Sequence, residues 1–189
     1  MKIVLIFLQI VAFPLSFLVA SVILYVISSR YKLQQLFKFA SATNFVITTY
    51  IVGGVIMFPL YFAFHPVKIE GVTYLPESAL PYYWGLCYII SVIMCMILTY
   101  YLFFKVNPSN INIKSALIIG FYQLPLGWFF EIVIYVYMRK TIPTIFDYFF
   151  GKNFPWLNIN WLIGAFAPLL AVLIINHRRR KKLPTTVLA

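Results

Sequence analysis

Four residues at regular spacing mark the part of this chain where side chains could carry out chemistry. Gln123, Gly127, Glu131 and Tyr135 follow one another at intervals of four residues within the apolar run 115–138. This spacing places all four on one face of an α-helix. A carboxylate in a membrane-spanning run is costly and usually faces a bundle interior or a polar cavity. Because only four residues of the chain are acidic, we treat Glu131 as the best single indication of function.

Two interpretations of this face stay open. In the functional interpretation, Gln123, Glu131 and Tyr135 form a polar intramembrane site or ion pathway. Pro125 would kink the helix there and free a backbone carbonyl, and a carboxyl group in apolar surroundings favours its neutral form, which suits a proton carrier. In the structural interpretation, Glu131 lies in the outer third of the helix. It then reaches the headgroup level or hydrogen-bonds Tyr135 or a polar residue of another helix.

The composition indicates the elements that must position these residues. The chain has 189 residues, of which 63% are hydrophobic and 10% are charged, and its mean hydropathy is +0.92. A soluble domain is about 45–50% apolar and about 25% charged. The excess of apolar residues falls in long runs, which predicts an all-α integral membrane protein with a single polytopic membrane domain.

About five runs are long enough to cross a bilayer, since a span needs about 20 apolar residues. The runs are followed by a basic tail over residues 177–189. The predicted spans are residues 3–27, 39–64, 81–104, 115–138 and 159–176.

The basic residues predict an orientation. Two thirds of the 15 Lys and Arg residues lie on the side of the membrane that holds the C-terminal tail. The positive-inside rule places that side in the cytoplasm and the N-terminus outside. The basic residues lie beside apolar runs and include five consecutive positions, 178–182. We therefore expect the tail to bind anionic lipid headgroups and expect no nucleic-acid partner, despite the net charge of +11. Because no acceptable glycosylation sequon or large soluble domain is found, the cytoplasmic (plasma) membrane of a prokaryote is favoured.

Other polar and small residues are interpreted as packing elements. Asn44 and Thr48 form a secondary polar face on the second predicted span, where hydrogen bonds between helices are the usual role. The two cysteines, Cys87 and Cys95, would lie roughly 12 Å apart on a helix at about 1.5 Å per residue, beyond the roughly 7 Å reach of a disulfide. Small residues along one side of the fifth span predict close helix packing; they are Gly164, Ala167, Pro168 and Ala171.

The two long outer loops hold the remaining candidates. His65 and Asp147 could meet across these loops as an acid–base or metal cluster, but no ligand spacing supports this, and we predict no metal and no cofactor. The loop around Glu70 and Gly71 permits a short hairpin, but because of the nearby prolines an irregular structure fits the sequence equally well. The aromatic-rich loop 139–158 is too short and too often broken to span, and we expect it at the outer membrane surface.

Three functions are compatible with these patterns. The first is a non-enzymatic accessory or assembly factor, with a membrane-protein partner or a second copy of the chain. The second is a small carrier with its polar site at Gln123 and Glu131. The third is an intramembrane enzyme for a lipid or isoprenoid substrate, in which Glu131 is a general acid and His65 and Asp147 contribute.

Overall fold

The computed structural model of the protein describes residues 2–69, 72–106, 108–151 and 155–182. Two of its helices continue into π-helical segments, Tyr100–Phe104 after α3 and Ile132–Met138 after α4. One further helix, α5, is short. The α-helices are α1 (Lys2–Arg30), α2 (Gln34–Ala63), α3 (Leu80–Thr99), α4 (Ile113–Glu131), α5 (Ile145–Phe150) and α6 (Trp156–Lys182).

Five of these helices are long and apolar enough to cross a membrane, and this confirms the helical class and the number of candidate spans. The helix α6 continues past the last apolar residue to Lys182, because Lys and Arg are good helix formers. The candidate spans are Val11–Arg30, Gln34–Ala63, Glu77–Phe104, Ile113–Met138 and Trp156–Arg179.

Short elements fill the loops. Two strands, β1 (Val67–Ile69) and β2 (Val72–Tyr74), pair in antiparallel register between α2 and α3. The hairpin therefore forms, and its two turn residues lie outside the described part of the chain. A 3₁₀ turn over Glu77–Ala79 leads into α3, and another over Pro108–Asn110 precedes α4.

The long helices pack as two groups. The helix α1 lies mainly against α2, and these two form a helical hairpin; α6 lies against both α3 and α4, and these three form a three-helix unit. Fewer contacts join α2 to α3 and α4. Aromatic and branched side chains fill the core where the groups meet, among them Phe45, Val46, Phe103, Phe104, Ile119 and Val172.

Small residues allow α4 and α6 to approach closely. A Cβ atom on Gly120 would lie 1.8 Å from the carbonyl oxygen of Ala165, and one on Gly127 would lie 2.2 Å from the Trp161 ring. Ala167 and Ala171 on α6 are buried, which confirms the predicted packing role of its small residues. Both cysteines are also buried and unpaired, as predicted.

Candidate intramembrane polar site

Glu131 lies where the regular geometry of α4 ends. It is the last residue of the α-helix, and a π-helical segment begins at Ile132. Such segments are rare and often occur at functional sites. The Glu131 side chain is half-buried. Tyr50 on α2 packs against the neighbouring residue Phe130, with ring centroids 5.3 Å apart, so the α1–α2 hairpin meets the three-helix unit beside Glu131.

Two further tyrosines belong to the same region. Tyr135 lies one turn along the same face of the helix, and Tyr148 on α5 is near enough for the Glu131 charge to act on its hydroxyl. The Arg139 guanidinium lies over the Tyr135 ring, 5.3 Å from the centroid. Within the described residues, no ion pair to Glu131 is found.

Tyr148 is the most enclosed of these tyrosines. Its side chain is 2% exposed, and its hydroxyl has no hydrogen-bond partner among the described residues. The hydroxyl lies beside the Trp161 indole, but the geometry does not make a hydrogen bond. Burial raises the pKa of Tyr148 above its ordinary value, with the Glu131 charge contributing in the same direction. The phenol is therefore neutral and can both donate and accept.

The short helix α5 owes its position to local capping. The backbone N–H of Asp147 donates to Thr144 Oγ1 at 3.1 Å, and that hydroxyl donates to Asp147 Oδ2 at 2.6 Å. The first of these bonds makes Thr144 the N-cap of the helix. Asn158 Nδ2 donates to the carbonyl oxygen of Phe149 at 2.9 Å, and the Trp128 ring lies 5.3 Å from that of Phe149. The aromatic-rich loop thus contains a short helix that carries Tyr148 and packs against α4.

Gln123 lies deeper in the three-helix unit. It is 4% exposed, and its Nε2 donates to Cys95 Sγ on α3 at 3.8 Å. Its Oε1 has no hydrogen-bond partner in the described part of the chain. Gly164 on α6 has no side chain, and the Gln123 amide lies in the space that a side chain there would fill. Gln123 therefore occupies the point where α3, α4 and α6 meet, about two turns from Glu131.

The predicted polar face of α2 is arranged differently from its sequence pattern. Asn44 and Thr48 are both half-buried, and Asn44 Oδ1 has no hydrogen-bond partner in the described chain. The hydrogen bond from α2 to α4 is made instead by Thr43, whose hydroxyl lies 3.0 Å from that of Tyr122. Sequence reasoning missed Thr43 and Tyr50. Their spacing of seven residues, which places them on one helical face, is a signal that could have identified them.

The outer-loop candidates do not form a cluster with ligand geometry. His65 is exposed and has a φ of 50°, the left-handed conformation that commonly ends a helix. Asp147 is hydrogen-bonded to Thr144. No group of three or more His, Cys, Asp or Glu side chains suited to a metal ion occurs among the residues that the structure describes.

Comparison of the chain with protein-family models, with curated proteins and with solved structures finds no match. The chain has five helices suited to a membrane.

Proposed function

We propose that this protein is a small, non-enzymatic membrane carrier whose polar site is centred on Glu131. One observation carries the proposal. The Glu131 carboxylate on α4 lies at the boundary between the two helix groups, where Tyr50 on α2 packs against its neighbour Phe130 with ring centroids 5.3 Å apart, and no ion pair to it is found among the described residues. A carboxylate kept in such a place despite its cost is the mark of a substrate or ion site.

The arrangement of α2 and α4 supports a carrier. Two contacts of the described residues cross their boundary: the Thr43 and Tyr122 hydroxyls are hydrogen-bonded, and the Tyr50 ring packs against Phe130 beside Glu131. Residue numbers rise together along the two helices, so α2 and α4 run parallel with the contacts roughly 10–14 Å apart, at about 1.5 Å per residue. Many carriers move one group of helices against another around a site near the membrane midplane. Tyr50 lies near the middle of α2, as that scheme requires.

The proposed orientation has the N-terminus outside and the C-terminus in the cytoplasm. The helix ends on the proposed cytoplasmic side expose basic residues, including Lys32, Lys105, Lys114 and Arg178. We propose anionic lipid headgroups as their partners, since each charge near such a surface contributes about 1 kcal/mol. The location of the protein in the plasma membrane of a prokaryote stays a prediction.

The other two functions stay predictions. An accessory or assembly role would need a membrane-protein partner or a second copy of the chain. For an intramembrane enzyme, Asp147 is already used to cap α5, so the chemistry would rest on Glu131 and on His65, which is exposed. The carrier needs no cofactor.

Co-purification tests the carrier. The wild-type chain and Glu131→Gln would be purified in the same mild detergent, and small molecules that accompany each would be quantified by mass spectrometry. Removal of a hydrogen bond to a charged group costs about 1.5–3 kcal/mol, so we expect Glu131→Gln to retain the ligand about tenfold less or worse.

The control is Glu77→Gln, because Glu77 is exposed at the start of the third span. It should retain the ligand as the wild type does. Equal retention by all three chains would contradict the proposal. A stoichiometric protein that accompanies all three, with no small molecule, would favour the accessory role instead.

A further inference from the structure

Unpaired polar atoms collect along the seam between α4 and α6. Buried side-chain N and O atoms without a hydrogen-bond partner are uncommon in proteins, because each one is costly in an apolar interior. Most of those found among the described residues belong to α4, to α6 or to the short helix α5 that packs on both. They are Gln123 Oε1, Trp128 Nε1, Tyr148 Oη, Asn158 Oδ1 and Trp161 Nε1.

The directions of the two helices give the order of these atoms along the seam. Gly120 and Gly127 on α4 lie against Ala165 and Trp161 on α6, respectively. Residue numbers therefore rise along α4 as they fall along α6, and the two helices run antiparallel. The start of α6, which follows α5, lies at one end of the seam, and Gln123 lies toward the middle of the bundle.

The level nearest α5 contains the unpaired atoms of Tyr148 and Asn158. Asn158 Nδ2 donates to the carbonyl oxygen of Phe149 at 2.9 Å, and the Trp128 ring lies 5.3 Å from the Phe149 ring. The three helices α4, α5 and α6 thus meet at this level. Trp161 follows along α6 about 4.5 Å deeper, at about 1.5 Å per residue.

The deepest level lies where α3, α4 and α6 meet. Gln123 is 4% exposed, and its Nε2 donates to Cys95 Sγ at 3.8 Å. A Cβ atom on Gly164 would lie 2.9 Å from the same Nε2, so the amide lies directly against the backbone of α6. Pro168 has no N–H group and cannot donate to the Gly164 carbonyl four residues earlier. At this level α6 therefore provides an acceptor of its own.

The seam combines both kinds of hydrogen-bonding group. The indole N–H groups donate, the amide oxygens accept, and the tyrosine hydroxyl does both. None of these groups is charged, so a neutral ligand suits them. An O–H group is the smallest neutral ligand that matches both kinds, because it donates and accepts. Buried water molecules typically make about three hydrogen bonds to groups that are otherwise unpaired.

We infer that O–H groups occupy this seam from α5 to Gln123 and make it a polar route from one end of the bundle to its middle. Two sources have this chemistry, namely water molecules and the hydroxyl groups of a bound small molecule. The inference does not rest on the proposed carrier function, because none of the contacts that support it involves Glu131.

Water-edited solid-state NMR tests the inference on the full chain in lipid bilayers, since it detects protein N–H groups that receive magnetisation from water. The chain has four Gln and four Trp residues, so selective ¹⁵N labelling of these two types gives few side-chain signals. The variants Gln123→Leu, Trp128→Phe and Trp161→Phe assign the three signals of the seam by their disappearance.

We expect the Gln123 amide and both indole N–H groups to receive magnetisation from water, which would identify water as the source. The bound molecule is identified instead if water transfer is missing and a hydroxyl compound, found by mass spectrometry at a stoichiometric amount, accompanies the wild type but not Gly164→Ala. If neither water transfer nor such a compound is found, the inference is wrong.

The variant Gly164→Ala tests the deep end of the seam and removes no polar group. Its new Cβ would displace the flexible Gln123 amide, 2.9 Å away, so we expect water transfer to Gln123 to be lost and transfer to Trp128 to continue. The matched control is Gly85→Ala on α3, where nothing lies within 4 Å of a Cβ, and all three signals should keep their transfer. Unchanged transfer to Gln123 in Gly164→Ala would contradict a site beside α6.

The two proposals are judged by different measurements. Ligand retention in Glu131→Gln concerns the carrier site, and transfer to Gln123, Trp128 and Trp161 concerns the seam, so either proposal can fail while the other holds. If Gln123→Leu does not fold, the two indole signals still report on the seam. The absence of water transfer to both, with no hydroxyl compound bound, would then overturn the inference.

Discussion

At the scale of single residues, polarity and size have separate roles. Glu131 is the candidate for chemistry in the proposed carrier, while the glycines of α4 determine how close α6 can come. Gly120 and Gly127 lie on the α6 side of the helix, against Ala165 and Trp161. Since apolar burial does not favour helix association in lipid, close contact of this kind is a main source of stability for a membrane bundle.

Gly120→Ala should therefore destabilise the protein. Its new Cβ would lie 1.8 Å from the carbonyl oxygen of Ala165, and such overpacking typically lowers the free energy of unfolding by about 1–3 kcal/mol. Unfolding in one detergent, followed by helical circular dichroism, measures the difference. Gly85→Ala is the matched control, because nothing lies within 4 Å of a Cβ there. Similar results for the two variants would show that α4 and α6 do not approach at Gly120.

At the scale of elements, the segment after α4 determines the shape of the site. The π-helical segment ends with the Thr141 and Ile142 N–H groups both donating to the Tyr135 carbonyl, at 2.9 and 3.3 Å. The chain then turns into α5, which returns toward the segment after α4 and packs Phe149 against Trp128. The capping pair Thr144 and Asp147 is thus a local feature of sequence that helps to place α5 beside α4.

Thr144→Val should loosen α5 without unfolding the bundle. Loss of an N-cap typically costs about 0.5–2 kcal/mol, which is large for a helix of six residues. Hydrogen–deuterium exchange should rise by about threefold or more over Ile145–Phe150, since about 0.7 kcal/mol corresponds to that factor, and stay unchanged in α3. Thr144→Ser keeps the hydroxyl and should exchange as the wild type does. Unchanged exchange in Thr144→Val would mean that the cap does not hold α5.

At the scale of the whole molecule, the five long helices divide into the α1–α2 hairpin and the three-helix unit. Large apolar side chains cover the outer surface of both groups, as expected for contact with lipid. The direction of the bundle in the membrane follows only from the basic residues, so it needs its own measurement.

Thiol labelling of intact cells checks that direction. Tyr82→Cys and Tyr31→Cys lie at opposite ends of the bundle, and the native tyrosines are 71% and 67% exposed. With the N-terminus outside, a membrane-impermeant maleimide should label Tyr82→Cys in intact cells and Tyr31→Cys only after permeabilisation. The wild type serves as the blank, because its cysteines are buried. The reverse pattern would reverse the orientation.

The sequence alone determined the helical class, the five candidate spans and the buried unpaired cysteines, and it singled out Glu131 as a candidate that stays a prediction. Apolar runs of about 20 residues have few structures open to them, because a lipid-exposed backbone must satisfy its own hydrogen bonds. Only the tertiary structure decided that Tyr50 packs against Phe130 beside Glu131 and that Thr43, in place of Asn44, bonds α4. When a helix is apolar on nearly every side, its sequence does not indicate which face packs against which neighbouring helix. That choice is made by close packing at residues such as Gly120 and Gly127, whose partners lie far away along the chain.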